Sequence, residues 1–315
     1  MKILMFGRGV INTQYAYALE QAGHTVDFYV RKGRKAEFGS SVTLNIFDAR
    51  KNIRGVKVQE NWDITMIEDF TADHDYDLIF LSVQHYQIKT AVDFLVDRIG
   101  KATLLLFNNM WEEPNAAVAK LPENQLVWGF PAAGGGFDKA GVLNGAFFGT
   151  AKIGTFGNAL TMRDKEVIAL FQSAGIKATE QKDFRSWLFS HFVMSAAINL
   201  ETLKYYGENI SIEDTQTSQY WRNVLLNGKE LLPLLTARNV DLKLSSDLKL
   251  LSLPPWLVRT LMNTANKFLP SLKMVLTGHS NPVELQAYCH DVYSKAQEMN
   301  IPLPRYEMGS HVTHF

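Results

Sequence analysis

The stretch KILMFGRGVIN, residues 2–12, decides the fold of this chain. An apolar run that predicts a buried strand leads directly into Gly7 and Gly9, which have the spacing of a dinucleotide-binding turn. The first glycine permits the tight turn, and the second lets backbone N–H groups approach a diphosphate at the positive end of the next helix. Asn12 stands where a third glycine is usual, so we expect a slightly wider contact between this helix and the strand.

Short apolar runs alternate with helical patterns through the first half of the chain. We predict strands at residues 2–6, 25–30, 77–83, 103–107, 126–132, 146–156 and 176–180, and helices at residues 10–21, 88–99, 113–120 and 163–173. This alternation predicts an α/β fold with a Rossmann-type doubly wound sheet. The run Gly134–Gly136 follows a strand and is compatible with a mobile flap or with a plain hairpin turn.

Helical periodicity takes over near residue 182 and continues to residue 315. This second half has few strand signals, and one Pro-Pro pair, at residues 254 and 255, interrupts its helices. We therefore predict two domains, a Rossmann-like domain at residues 1–181 and an all-helical domain at residues 182–315.

The composition excludes several classes of protein. Of the 315 residues, 46% are hydrophobic and 20% are charged, and the 32 basic residues balance the 32 acidic ones. Such a neutral chain has no general attraction to nucleic acid or to an anionic membrane, so we expect neither as a partner. No apolar stretch approaches the roughly 20 residues needed to cross a bilayer, and no signal-peptide pattern is present. The single cysteine, Cys289, excludes a disulfide within the chain, so we predict a cytoplasmic protein.

The end of the second strand is strongly basic. Its cations are Arg31, Lys32, Arg34 and Lys35. An NAD site usually has an acidic residue here, whereas cations suit the 2′-phosphate of NADP. A solvated basic loop is the alternative, but the glycine turn upstream favours NADP(H) as the cofactor, with Arg31 as the first candidate for the phosphate. The predicted cofactor-binding set also includes the residues of the turn and of the helix start, Gly7, Gly9, Val10, Ile11 and Asn12.

A mostly apolar helix is predicted at residues 187–203, and it carries one polar row. The row consists of His191, Ser195 and Asn199, which are spaced by four and therefore share one face. Burying polar groups without partners costs roughly 1–3 kcal/mol each, so the row needs either a ligand or an internal hydrogen-bond network. On the residues alone, both explanations stay open. Elsewhere, His279, Cys289 and His290 lack the spacing of a zinc site, so we expect no metal.

Four motifs make the chain similar to the ketopantoate reductase family. They are the opening at residues 1–31 with its glycine spacing and AGH turn, LLLFNNMWEEP at residues 104–114, FVMSAAINLET at residues 192–202, and PVELQAY with NIPLP between residues 282 and 304. The resemblance implies a Rossmann domain and a helical domain that enclose the active site between them. It also implies the NADPH-dependent reduction of a 2-oxo acid, ketopantoate, on the route to pantothenate.

The same resemblance assigns roles to single residues. Asn108 matches an asparagine that contacts the nicotinamide side and the substrate, and Asn199 matches the asparagine of the family's signature helix. Glu284 matches a glutamate that binds the substrate hydroxyl and the ribose, and Ser271 lies near the position of a substrate-binding serine.

Several positions depart from the family pattern. His191 stands where the family has its catalytic lysine, Ser195 replaces an asparagine, and Gln84 replaces a lysine after the fourth strand. Asn109 and Trp111 replace two glycines. These changes bear on the substrate more than on the fold. We keep Ser195 as a candidate for binding substrate and Gln84 as a candidate for binding cofactor.

The sequence therefore predicts an NADPH-dependent reductase of a small 2-oxo acid. His191 is the expected proton donor, because histidine can supply a proton near neutral pH, and Asn108 and Asn199 are expected to assist it. One alternative is an NADP(H)-binding protein that has lost catalysis and acts as a sensor or binds a partner. Another is a hydroxy-acid dehydrogenase that works in the oxidative direction. Helical second domains of this kind often dimerise, so a homodimer is a further candidate.

Overall fold

The computed structural model describes residues 1–204, 214–243, 245–278, 281–313 and 315. The chain divides into two compact units, which we name the sheet unit and the helical unit. The sheet unit comprises Met1–Asn108, Asn115–Lys182 and Phe268–His279, and the helical unit comprises Asn109–Pro114, Asp183–Lys267 and Ser280–Phe315. A short segment of the helical unit, residues 109–114, thus interrupts the sheet unit, and a later segment of the chain returns to it.

The strands are β1 (Lys2–Phe6), β2 (Thr25–Tyr29), β3 (Ser41–Ala49), β4 (Val56–Asp63), β5 (Thr65–Ile67), β6 (Leu78–Leu81), β7 (Thr103–Leu106), β8 (Leu126–Phe137), β9 (Leu143–Gly154) and β10 (Lys177–Gln181). The α-helices are α1 (Val10–Gln21), α2 (Arg34–Phe38), α3 (Ile88–Leu95), α4 (Pro114–Ala117), α5 (Met162–Ser173), α6 (Phe184–Leu203), α7 (Ser218–Glu230), α8 (Leu232–Ala237), α9 (Pro255–Phe268), α10 (Pro270–Gly278), α11 (Pro282–Glu298) and α12 (Pro304–Thr313).

The sheet has a Rossmann core with an added flank. Strands β5, β2, β1, β6, β7 and β8 are neighbours in that order and all run parallel, which is the strand order of a dinucleotide-binding sheet. Beyond β8 the sheet continues through β9, β3 and β4, with antiparallel pairing in the β8–β9 and β3–β4 pairs. The predicted α/β fold with a Rossmann-type sheet and a helical C-terminal region is confirmed, and the complete sheet is mixed.

Strands β3, β4 and β5 are absent from the predicted elements. In β3 the buried residues Val42, Leu44 and Ile46 alternate with more exposed ones, which is a period-of-two signal that the sequence does contain. Strand β4 gives almost no such signal, because only Trp62 among its residues is buried. Its place in the sheet depends on pairing with β3, a tertiary effect that local pattern does not report.

A fully buried aromatic cluster fixes α1 on the sheet. The Tyr15 ring of α1 lies 5.0 Å from the Phe107 ring in an edge-on arrangement, and Phe80 and Phe171 pack within 6 Å of it. All four side chains are buried, and burial of a large apolar side chain contributes roughly 1.5–3 kcal/mol. This packing holds the amino end of α1 at the carboxyl ends of β1 and β6.

The glycines at residues 134–136 lie inside β8 and pair with β9, so both the flap and the hairpin turn expected for them are wrong. The turn between these strands comes later, where the Asp138 N–H donates to the Val142 carbonyl oxygen at 3.0 Å. A Cβ atom on Gly134 would lie 2.6 Å from Cγ1 of Val275 in α10. Glycine is therefore needed here because α10 packs directly on the strand.

The helical unit is built around α6, a 20-residue helix that packs against α7 and α11. The Asp183 carboxylate accepts the Ser186 N–H and caps its amino end. The segment at residues 109–114 belongs to this unit, because the Trp111 ring stacks on Phe192 at 5.0 Å and the Arg238 guanidinium covers Trp111 at 4.2 Å. Within the described ranges, no helix combines the length and apolarity required to span a membrane.

Candidate coenzyme and catalytic sites

The glycine turn has the geometry that the sequence predicts for phosphate binding. Gly7 adopts a φ of +96°, which favours glycine, and its N–H donates to the Tyr29 carbonyl oxygen of β2 at 2.9 Å. Gly9 is the N-cap of α1, and no side chain caps the helix there. The Thr13 N–H donates to the Gly9 carbonyl oxygen at 2.9 Å, so the N–H groups of Val10, Ile11 and Asn12 precede the first helical bond. Such N–H groups suit an anion.

Asn12, at the position of the third glycine, forms hydrogen bonds across the turn. Its side chain is fully buried, and its Nδ2 donates to the Phe6 carbonyl oxygen at 2.8 Å and to the Gly7 carbonyl oxygen at 2.9 Å. The sequence predicted only a wider contact between α1 and β1 at this position. The structure shows in addition that the Asn12 side chain links the end of β1 to the start of α1 by hydrogen bonds.

The space in front of Gly9 is open. A Cβ atom on Gly9 would have a single neighbour within 4 Å, the Ser82 carbonyl oxygen at 4.0 Å. Protein packing therefore does not require a glycine at this position, whereas a bound diphosphate would. The open space and the uncapped N–H groups of α1 fit the diphosphate of a nicotinamide dinucleotide.

The basic segment after β2 is only partly neutralised. Arg31 and Lys32 are exposed, and neither forms an ion pair with a described residue. Arg34 pairs with Glu37 at 2.6 Å within α2. The segment therefore keeps a positive charge at the carboxyl end of β2, where the adenosine ribose of a bound dinucleotide lies in this fold.

Arg8, between the two glycines, is a partly buried cation that the sequence reasoning did not single out. Its guanidinium carbon lies 4.3 Å from the centroid of the Phe38 ring of α2 and 4.9 Å from that of the Phe137 ring of β8. Burial lowers the pKa of the Arg8 guanidinium, and the nearby charge of Arg34 lowers it further. Its place inside the glycine motif was the available signal.

Two predicted residues follow the next two strands of the core. Gln84 is the N-cap of the short 3-10 helix His85–Gln87 after β6, and its N–H donates to Oε1 of Gln87 at 3.2 Å. Asn108 follows β7 and is 6% exposed, and its Nδ2 donates to the Val83 carbonyl oxygen at 2.8 Å. Within the described part of the chain, the buried Oδ1 of Asn108 has no hydrogen-bond donor. Asn108 therefore offers an acceptor at the carboxyl edge of the sheet.

His191 forms a pair with an acid that the sequence did not reveal. Its Nδ1 lies 2.8 Å from Oδ2 of Asp247, and its ring stacks on Trp187 at 5.0 Å. The side chains of the pair are 32% and 27% exposed, so a ligand can reach them. Asp247 lies 56 residues further along the chain, in a 3-10 helix, and no local pattern connects it to His191.

The remaining members of the polar row share this face of α6. Ser195 is half-buried, and its hydroxyl donates to the His191 carbonyl oxygen at 3.1 Å. Asn199 is also half-buried, one turn further on. The row is thus neither sealed in the core nor freely exposed. The hydrogen-bond network predicted as an alternative exists in part, through Asp247 and this backbone contact.

Glu284 and Ser271 have different surroundings. Glu284 lies in the first turn of α11, half-buried, and its charge adds to burial in raising the pKa of Tyr288. Ser271 is fully buried in the sheet unit, where its hydroxyl donates to the Ile53 carbonyl oxygen at 2.5 Å. This bond anchors α10 and occupies the hydroxyl. We therefore assign Ser271 a packing role and no longer count it among the substrate-binding residues.

Cys289 is buried in the helical unit, and burial raises its pKa. Its thiol lies 3.8 Å from the Ala196 carbonyl oxygen. His290 is exposed, and His279 lies outside the described residues. Among the residues that the structure does describe, no three His, Cys, Asp or Glu side chains are grouped so that they could hold a metal ion.

Comparison with known families agrees with the motifs in the sequence. A family model described as "Ketopantoate reductase PanE/ApbA" matches residues 3–158. The match spans the glycine turn, the basic segment and the strand ends, and it confirms the resemblance drawn from the sequence. A comparison with curated proteins found no match.

Solved structures with the same architecture cover the whole chain at low sequence identity. A PanE/ApbA family ketopantoate reductase from Ralstonia eutropha JMP134 is 15% identical with a TM-score of 0.67, covering 100% of this chain and 97% of that one. A D-mandelate dehydrogenase in complex with NADH is 14% identical with a TM-score of 0.70, covering 100% and 98%. A dimeric ketopantoate reductase from Staphylococcus aureus is 14% identical with a TM-score of 0.65, covering 100% and 99%. At these identities the likeness concerns the fold.

Proposed function

Because this chain belongs to the ketopantoate reductase family, whose members are oxidoreductases acting on a CH–OH/C=O pair, we propose that it is an NADPH-dependent reductase of a small 2-oxo acid. The observation that carries the proposal is the open space in front of Gly9, facing the uncapped N–H groups of α1. A diphosphate placed there would accept those hydrogen bonds at the positive end of the helix.

The preference for NADPH over NADH is supported by charge. Arg31 and Lys32 are exposed at the end of β2, where an NAD site usually has an acidic residue for the ribose hydroxyls. The one acidic residue within α2, Glu37, is engaged by Arg34. The D-mandelate dehydrogenase that shares the fold carries NADH. Both coenzymes therefore belong in the test.

The coenzyme and the protein side chains have different parts in the proposed reaction. When bound, NADPH supplies a hydride to the carbonyl carbon of the substrate. We assign proton donation to His191, whose Nδ1 has a carboxylate partner that favours the protonated imidazole. Asn199 would act as a second donor from the same face of α6. Asn108 has its amide nitrogen engaged, so its free Oδ1 suits a donor such as a carboxamide or hydroxyl group.

Several finer assignments belong to the same proposal. Ketopantoate is the first substrate to test because of the family, and its reduction would place the protein in pantothenate biosynthesis. The histidine at the position of the family's lysine favours a related 2-oxo acid as strongly as the family favours ketopantoate.

Three further predictions from the sequence remain part of the proposal. They are a homodimer, a cytoplasmic location and the division into domains at residues 1–181 and 182–315. The passage of the chain from the sheet unit to the helical unit at Lys182–Asp183 supports that division.

Coenzyme binding and turnover test the proposal directly. The purified protein is titrated with NADPH and, separately, with NADH, while nicotinamide fluorescence is recorded. Ketopantoate and a panel of other 2-oxo acids are then added, and the absorbance of the reduced coenzyme is followed. We expect NADPH to bind at least about tenfold more tightly than NADH, since a charge-assisted contact contributes roughly 1.5–3 kcal/mol, and we expect at least one 2-oxo acid to be reduced.

The other outcomes separate the alternatives. Binding without turnover by any 2-oxo acid, with the corresponding 2-hydroxy acids and NADP⁺ also inactive, would replace the reductase by a coenzyme-binding protein that has lost catalysis. Turnover only with 2-hydroxy acids and NADP⁺ would point to an oxidative enzyme. Absence of binding to either coenzyme would overturn the proposal as a whole.

Asp247 provides a test of how His191 is positioned. In the Asp247→Asn variant, the carboxylate that accepts the hydrogen bond from Nδ1 of His191 is lost. The imidazole can then adopt a tautomer in which Nδ1 carries no hydrogen. We expect kcat to fall about 10- to 100-fold, with KM for the 2-oxo acid changed far less. Asp247→Glu should recover part of the loss. If Asp247→Asn and Asp247→Glu lower kcat equally and leave kcat/KM unchanged, Asp247 does not position His191.

A further inference from the structure

Arg8 is held by aromatic rings rather than by an acid. Its guanidinium carbon is 4.3 Å from the Phe38 ring centroid and 4.9 Å from the Phe137 ring centroid. Across the described residues, Arg8 takes part in no ion pair and no hydrogen bond, and its Nε is buried without an acceptor. Two aromatic faces fix the plane of a guanidinium while they leave its N–H groups unused.

This arrangement is costly without an anion. A partly desolvated cation loses hydration, and ring faces restore only part of that free energy. The neighbouring charges increase the cost, because Arg34 lies 4.8 Å from the same Phe38 ring and its positive charge acts on Arg8. Glu37 offsets part of this charge, but it is already paired with Arg34 at 2.6 Å. The guanidinium of Arg8 therefore needs an acceptor that the described protein atoms do not provide.

The position of the guanidinium shows which phosphate it suits. The backbone of Arg8 belongs to the diphosphate turn, but its side chain extends to Phe38 at the end of α2. Helix α2 follows β2, and in this fold the residues after the second strand surround the adenosine ribose. The Arg8 side chain therefore reaches the same region as the basic segment.

We propose that Arg8 is a specificity-determining residue that binds the 2′-phosphate of NADP(H), held in place by Phe38 and Phe137. The inference rests on the proposed function and adds a residue from the glycine turn itself to the phosphate site at the end of β2. In NADH a hydroxyl group replaces this phosphate, and Arg8 would lose its charged acceptor. Arg8 therefore discriminates between the two coenzymes.

A binding experiment with adenosine fragments tests Arg8 without any turnover. Isothermal titration calorimetry measures the affinity of the full chain for 2′,5′-ADP and for 5′-AMP, which differ only in the 2′-phosphate. We expect Arg8→Gln to weaken binding of 2′,5′-ADP about 10- to 30-fold, the effect of one charge-assisted contact, and to leave 5′-AMP within about twofold. Arg8→Lys should fall between the two, because it keeps the charge and loses the planar fork.

The control is Lys101→Gln, which removes one positive charge at the amino-terminal end of β7, where Lys101 is exposed. Thermal unfolding of each variant confirms that it is folded. Equal affinity of Arg8→Gln and the unmodified protein for 2′,5′-ADP would overturn the role of Arg8 and leave the proposed function standing. Equal weakening for both ligands would overturn the assignment to the 2′-phosphate. Failure of the unmodified protein to bind 2′,5′-ADP more tightly than 5′-AMP would overturn both proposals.

Discussion

Replacement of His191 by alanine is expected to lower kcat for 2-oxo acid reduction about 100- to 10,000-fold, the range typical of a lost general acid. The dissociation constant for NADPH should stay nearly unchanged, since none of the coenzyme contacts that we propose involves His191. The physical reason is that hydride transfer leaves negative charge on the substrate oxygen, and in the variant only the Asn199 side chain remains as a proposed donor to stabilise it. Stopped-flow reduction of a saturating 2-oxo acid measures this change.

Two further variants isolate the histidine. Ser190→Ala alters the adjacent residue of α6, whose hydroxyl is fully buried and has no hydrogen-bond acceptor in the described part of the chain, so activity and stability should hardly change. His191→Lys introduces the residue that the family uses, and we expect it to retain more activity than the alanine variant. If His191→Ala turns over as fast as the unmodified protein, His191 has no part in the reaction.

The sequence alone predicted the glycine turn and the sheet around it in some detail. The glycine spacing correctly indicated a turn from β1 to α1, and the alternation of apolar runs correctly indicated a Rossmann-type sheet. These features are local: a tight turn, a buried strand and a helix start each leave a short pattern in the sequence. The sequence shows that Asn12 departs from the usual glycine pattern, but only the structure shows its two hydrogen bonds to the turn.

What the sequence missed depends on contacts between distant segments. Asp247 reaches His191 from a different helix, Phe137 reaches Arg8 from β8, and α10 returns to the sheet unit to pack on Gly134. None of these contacts follows from periodicity, because each joins residues separated by more than 50 positions. The family resemblance likewise suggested Ser271 as a substrate residue, whereas the structure gives its hydroxyl to a backbone carbonyl group.

The Gly9→Asp variant is expected to fold as well as the unmodified protein and to lose coenzyme binding. Gly9 has φ −76° and ψ 170°, an extended conformation that any residue adopts, and its Cβ would meet only the Ser82 carbonyl oxygen at 4.0 Å. Aspartate is a better N-cap than glycine by a few tenths of a kcal/mol. The midpoint temperature of thermal unfolding should therefore stay the same or rise slightly. The carboxylate would accept the N–H groups of α1 and repel a diphosphate, so NADPH affinity should fall at least about 100-fold.

Matched variants give this result its meaning. Thr217→Asp adds the same charge at the N-cap of α7, where the threonine is exposed, and should leave NADPH binding unchanged. Gly134→Ala places a methyl group 2.6 Å from Val275, so it should destabilise the fold by about 1–3 kcal/mol, the usual cost of overpacking. The two glycines thus serve different purposes, one leaving room for a ligand and the other for a helix. Normal NADPH affinity in a folded Gly9→Asp protein would show that the coenzyme does not use the amino end of α1, and the proposed site would be wrong.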